Sequence, residues 1–177
     1  LKGMTPQEIE TEFFDDRIEY INYETETNLV VITVEMYTAR RAYFISEKFR
    51  KRGIPVVMGG YHPSLVPEEA IEQCDSVVTG NGETVWEELL EDFKKGKLKK
   101  RYDGKCGFFG VMPDRKIYSD KKYSKIALIE TWRGCNFNCE FCAITANYGG
   151  KCFRRPVEEL EEEIKLAGKK YNLFIDD

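Results

Sequence analysis

No apolar run in this 177-residue sequence approaches the length of a membrane span, and none has the core of a signal peptide. That excludes a membrane helix and points to a soluble, cytoplasmic protein. A basic excess is missing as well, since the net charge is −4. The lysine-rich run KKGKLKKR, Lys94 to Arg101, lacks interleaved aromatics and reads as a solvated linker. No nucleic-acid or membrane partner is therefore expected. Internal repeats and low-complexity tracts are absent, and there is a single histidine, His62. Six cysteines in a chain without a secretion signal do not make a disulfide framework. In a reducing compartment, clustered thiols bind metal or do chemistry.

What is present is an alternation of strand-like and helix-like segments, the signature of an α/β fold with a parallel sheet covered by helices. EFFDD (Glu12 to Asp16) reads as a short strand, and LVVITVE (Leu29 to Glu35) as one apolar enough to be buried on both faces. A helix follows with Ala42, Ile45 and Phe49 on one face and Gly53 as its stop. IPVVMGG and SVVTG are further strands. Pro67 opens a short helix between them, and a later helix carries Val85, Leu89 and Phe93. Residues 97–123 break the alternation and read as a linker that carries some strand. KIALIE then starts again as a strand, Pro156 opens a helix with Val157, Leu160 and Ile164 on one face, and NLFIDD is a second strand. The expected division is a domain over 1–100, a linker over 101–123 and a second domain over 124–177. With one strand–helix unit and one further strand, this last region is too small to close a barrel. The chain is expected to be a piece of a longer protein, inert by itself even where it binds its cofactor.

Four of the six cysteines fall between Glu130 and Pro156. Cys135, Cys139 and Cys142 stand at CxxxCxxC spacing directly behind a strand, in a loop that Gly134 makes possible. Thiolates so close together can reach corners of one iron–sulfur cube or share one tetrahedral zinc. A structural zinc wants four closed ligands, and Cys152 is available as the fourth. Three cysteines on a four-iron cluster leave one iron open to a further ligand.

CxxxCxxC with Phe141 just before the last cysteine resembles the signature of the radical S-adenosylmethionine enzymes. ETWRGC, RRPVEELEEEI and FIDD resemble the opening of the catalytic barrel in the cobalamin-binding branch of that family. The upstream run from VITVE through VVMGGYHPSLVPEEA to VVTGNGETVWEELLEDF resembles its cobalamin-binding domain. The likeness covers the chain from about Glu10 to Asp177. It departs at Trp132, where a small residue is usual, and at Asn81, where glutamate is.

The resemblance implies a flavodoxin-like cobalamin-binding domain followed by the start of a partial (β/α) barrel. Cys135, Cys139 and Cys142 would hold a 4Fe-4S cluster whose open iron chelates S-adenosylmethionine. Phe141 would lie near the adenine, with Asp176 and Asp177 close to the same cofactor. The reduced cluster would cleave the sulfonium to a 5′-deoxyadenosyl radical, and cobalamin would carry a methyl group to an unreactive carbon. A reducing partner such as a flavodoxin or ferredoxin and a small-molecule substrate are implied too. No catalytic residue is assignable beyond the cluster ligands.

In the flavodoxin-like strand order 2-1-3-4-5, ligands lie over the carboxyl ends of the strands. EFFDD would be the second strand and LVVITVE the third, with the first strand missing. The loops facing the corrin would then hold Thr33, Met36 and Thr38, next Gly59 and Gly60, and last Gly80, Gly82 and Glu83. His62 would be a loop residue near the corrin edge, without ligating cobalt. Cys74 and Cys106 are expected to be buried small hydrophobes. The rival reading is a non-catalytic zinc module closed by Cys135, Cys139, Cys142 and Cys152.

Overall fold

The computed structural model describes residues 1–107 and 110–176. They form two compact units, one of Asn22–Cys106 and one of Leu1–Ile21 with Gly107–Asp177. These boundaries differ from the expected division at residues 100 and 123.

In the first unit, four parallel strands lie in the order β1-β2-β3-β4: β1 (Val30–Thr33), β2 (Val56–Gly59), β3 (Ser76–Thr79) and β4 (Arg101–Asp103). The connections carry α1 (Ala39–Arg50), the short α2 (Tyr61–Leu65) and α3 (Pro67–Glu72), and α4 (Trp86–Lys94). Val56, Val57 and Met58 of β2 are fully buried. Burying each such side chain contributes roughly 1.5–3 kcal/mol, which makes β2 the energetic centre of the sheet. Helix α1 covers it with Ala42, Ile45 and Phe49, and α4 contributes Trp86, Leu89 and Leu90.

One expectation fails here and one holds. Strand β1 is an edge strand with Val31 and Thr33 exposed, so it is not buried on both faces. The linker segment supplies β4, which pairs in register with β3 through Val78↔Tyr102. Tyr102 alone of β4 is buried, so the strand expected within the linker rests on one anchor.

In the second unit, β5 (Ile126–Ile129) and β8 (Tyr171–Phe174) pair in parallel. Their crossover holds β6 (Trp132–Arg133), α5 (Ala143–Tyr148), β7 (Phe153–Arg154) and α6 (Val157–Ala167). The two-residue strands β6 and β7 pair antiparallel, Arg133 opposite Phe153. Helix α6 keeps Leu160 and Ile164 on its covered face, half-buried, but Val157 is exposed and the fully enclosed side chain on that face is Glu163. Its carboxylate bonds to Arg115 and Arg155, so charge pairing takes the place of an apolar contact.

EFFDD is not a strand. Asp15 Oδ1 accepts from the backbone N–H and Nε of Arg17, at 3.0 and 2.9 Å, while Oδ2 accepts from Arg17 Nη2 and the Tyr123 hydroxyl. A side chain that binds its own backbone two residues on competes with strand pairing. Lys121 reaches Glu19 at 2.8 Å, a second tie between the two parts of this unit.

The Arg17 hydrogen bonds hold the Asp15 carboxyl far below the ordinary range, against the opposing effect of burial and with help from Tyr123. Burial and the same bond push the Tyr123 phenol up to about 12. A depressed carboxyl contributes stability above its unfolded value and loses it as pH falls toward the folded one. Asp15→Asn should thus be less stable than the parent by a constant margin above about pH 5, a margin that narrows below about pH 4. Urea midpoints measured across that range check it; a margin independent of pH would refute the assignment.

No helix among the described residues is long and apolar enough to cross a membrane.

Candidate functional site

Cys135, Cys139 and Cys142 lie on the loop between β6 and α5, and no disulfide forms among the described residues. Cys135 and Cys142 are half-buried and Cys139 is exposed. Gly134 fixes how the chain enters this loop. Its φ is +83°, and a Cβ there would stand 2.1 Å from the Lys151 carbonyl oxygen, so only glycine passes. Across the loop, the Cys142 N–H donates to the Cys139 carbonyl, and the Thr145 hydroxyl to that of Phe137. Phe137 and Phe141 are 76% and 93% exposed, an apolar surface that a covering group would have to shield.

Cys152 is half-buried and precedes β7 directly. Among the described residues no three His, Cys, Asp or Glu side chains converge as they would on a single metal ion. Three thiols on one loop can serve either a single tetrahedral ion completed by a fourth ligand or three corners of an iron–sulfur cube.

Asp176, exposed just beyond β8, reaches back to the root of the loop. It accepts from Thr131 N, Thr131 Oγ1 and Trp132 N, at 2.6, 2.7 and 3.1 Å. Burial works against its ionisation, but these three bonds outweigh it and lower the pKa. Asp177 lies outside the described residues.

In the first unit, the expected loops gather at the carboxyl ends of β1, β2 and β3. Thr33 ends β1 and is exposed, and a 3-10 turn over Met36–Thr38 follows. The Thr38 hydroxyl accepts from Glu35 N and donates to Glu35 O, both at 3.0 Å, which fixes that turn. Met36 and Tyr37 are 55% and 84% exposed, so this end of the sheet presents uncovered apolar surface.

Gly59 closes β2, and Gly60 has φ +107°. A Cβ on Gly60 would come within 2.8 Å of the Val34 carbonyl oxygen, so the unit's own backbone already demands that glycine. Gly80 N–H donates to the Ser64 hydroxyl, and Gly82 and Glu83 begin a 3-10 turn over Gly82–Thr84.

His62 is not a loop residue. It sits on α2, buried, because Pro63 and the turn after Gly60 start a helix where the sequence read as coil. Tyr43 gives its single hydroxyl proton to Glu69, 2.8 Å away. The same hydroxyl lies 2.6 Å from His62 Nε2, while His62 Nδ1 is enclosed with no hydrogen-bond partner among the described residues. Cys74 is buried as expected, its thiol pushed up to about 11 chiefly by desolvation, but Cys106 is exposed.

No family model matches the sequence. Over 97% of its length the chain is 37% identical to bacteriochlorophyllide d C-8(2)-methyltransferase of Chlorobaculum tepidum, covering 40% of that protein. Bacteriochlorophyllide d C-12(1)-methyltransferase of the same organism is 34% identical over 85% of the chain, which covers 36% of it. The chain thus spans about two fifths of the length of these curated relatives. Among solved structures, TsrM from Kitasatospora setae matches with a TM-score of 0.64 at 17% identity, over 87% of this chain and 38% of TsrM. That structure is of a radical S-adenosylmethionine methyltransferase with cobalamin and a 4Fe-4S cluster bound. At such identity the likeness establishes a common fold.

Proposed function

We propose the following function for this chain, which belongs to the cobalamin-binding radical S-adenosylmethionine proteins. It is part of a cytoplasmic enzyme that transfers a methyl group to carbon on a small molecule, fed with electrons by a flavodoxin- or ferredoxin-type partner. The observation that carries this reading is the set of three thiols on the one loop between β6 and α5, within the crossover that follows the parallel strand β5, with no disulfide among them. Methyltransferase relatives at 37% and 34% identity support the reaction class.

Cys135, Cys139 and Cys142 hold a four-iron cluster, and Phe141 flanks the adenosyl group. When bound, cluster and S-adenosylmethionine together supply a 5′-deoxyadenosyl radical, and cobalamin supplies the methyl carrier. The protein's part is to orient these groups and exclude water and oxygen. The loops at Thr33–Thr38, Gly59–Gly60 and Gly80–Glu83 would form the corrin cradle, where exposed Met36 and Tyr37 would offer apolar surface to the macrocycle and His62 would lie near its edge.

Anaerobic reconstitution with iron and sulfide tests this directly. The wild-type chain should take up about four irons, the composition of a cubane cluster, and its reduced paramagnetic spectrum should shift with S-adenosylmethionine. Serine at position 135, 139 or 142 should abolish uptake, while Cys152→Ser should leave it intact. One tightly held zinc, lost in Cys152→Ser and insensitive to S-adenosylmethionine, would establish the structural zinc module instead.

A further inference from the structure

We infer that Asp176 is a positioning residue that holds the root of the cysteine loop and does not touch S-adenosylmethionine. This rests on the proposed function in one respect: the loop is taken to carry the cluster.

The ladder between β5 and β8 ends at Ile129↔Phe174, followed by one bond from Ile175 N to Ile129 O at 2.9 Å. Beyond it the chain turns a corner at Glu130–Trp132 and enters β6, three residues before Cys135. The N–H groups of half-buried Thr131 and exposed Trp132 have left the ladder there and take new acceptors. Both find Asp176 Oδ1, and the Thr131 hydroxyl donates to Oδ2. The opposite side of the corner is secured by Arg155. Its N–H donates to the Thr131 carbonyl at 2.9 Å, and its Nη1 to that of Glu130 at 3.1 Å.

Four consecutive backbone polar groups of the corner are thus satisfied, two by Asp176 and two by Arg155. The carboxylate does the work of a further rung of the sheet. A carboxylate offers about four lone-pair sites, and three are occupied by this corner. Oδ1 is fully engaged by the two backbone N–H groups, and an incoming ammonium would meet only the remaining site on Oδ2. From Phe137 to Phe141, by contrast, every residue is exposed. The loop has a fixed root and an exposed tip, and Asp176 belongs to the root.

The test uses the full chain, first without metal. Asp176→Ala should speed amide hydrogen exchange at Thr131 and Trp132 by about tenfold or more, because local opening no longer breaks those bonds. Asp176→Asn should restore most of the protection. Its amide oxygen still accepts both N–H groups, and its NH2 can donate to the Thr131 hydroxyl. In reconstituted Asp176→Asn, the S-adenosylmethionine concentration giving half the spectral shift should stay within about twofold of wild type.

Protection kept in Asp176→Asn with the cofactor response lost at equal iron content would make Asp176 a contact residue and overturn the inference. Unchanged exchange in Asp176→Ala would overturn it as well. Should the alanine variant not fold, Thr131→Val takes its place: faster exchange at Trp132 supports the inference, and unchanged exchange defeats it. A wild-type chain that takes up no iron would refute the proposed function, while the exchange data would still judge the corner.

Discussion

Glu163→Ala is expected to cost the chain about 3–5 kcal/mol of folding stability, the usual price of stranding a buried charge. Glu163 and Arg155 expose 3% and 2% of their side chains, and they bond directly to one another. The second carboxylate oxygen bonds to Arg115, which also reaches the Leu128 carbonyl at 2.8 Å and the Tyr118 hydroxyl at 3.0 Å. Truncating the glutamate takes from the enclosed Arg155 guanidinium its direct carboxylate partner, leaving Glu159 at the longer distance of 3.7 Å. Removing both charges is a different matter: in Glu163→Leu/Arg155→Met, apolar volume replaces the pair, and most of the loss should be recovered. Urea denaturation of the three variants at neutral pH measures this. A single-variant loss under about 1 kcal/mol would mean that water reaches the pair and screens it.

Gly134→Ala is the second large effect. Backbone strain at φ +83° costs on the order of 1–3 kcal/mol for a residue with a side chain. The added methyl also meets the Lys151 carbonyl oxygen and the Tyr148 Cβ, at 2.1 and 3.2 Å, so the loop cannot keep its path. Iron uptake after reconstitution should fall by more than about half, since displaced thiols no longer match one cube. The unfolding of Asn22–Cys106 should be unaffected. Full iron uptake in this variant would show that the loop reaches its cluster geometry without the entry angle that glycine provides.

Much of this organisation was legible in the residues, for definable reasons. Strands β2 and β3 are short apolar runs ended by glycine, and α1 and α4 carry their buried residues at helical spacing. The cysteine spacing located the loop. What stayed hidden depended on partners remote in sequence. In VEELEEEI nothing marks Glu163 as enclosed, because the arginines that compensate it lie at 115 and 155. EFFDD has the apolar content of a strand, yet Asp15 is engaged with Arg17 and Tyr123. Asp176 read as an acid at a strand end, and only the geometry shows the corner it serves. Strand β4 rests on one buried tyrosine, and β6 with β7 on two residues each, lengths at which periodicity carries no signal.

The order of the two units along the chain has a kinetic consequence. Asn22–Cys106 is one unbroken stretch, whereas the other unit joins Leu1–Ile21 to Gly107–Asp177 across it. Closing a flexible loop of about 85 residues costs roughly 4 kcal/mol in chain entropy from its length-dependent part alone. Once the intervening stretch has folded, the ends no longer search through a long coil, and that barrier shrinks. The bonds of Asp15 to Tyr123 and Glu19 to Lys121 therefore belong to the last stage of assembly, formed across a span that has already lost its freedom.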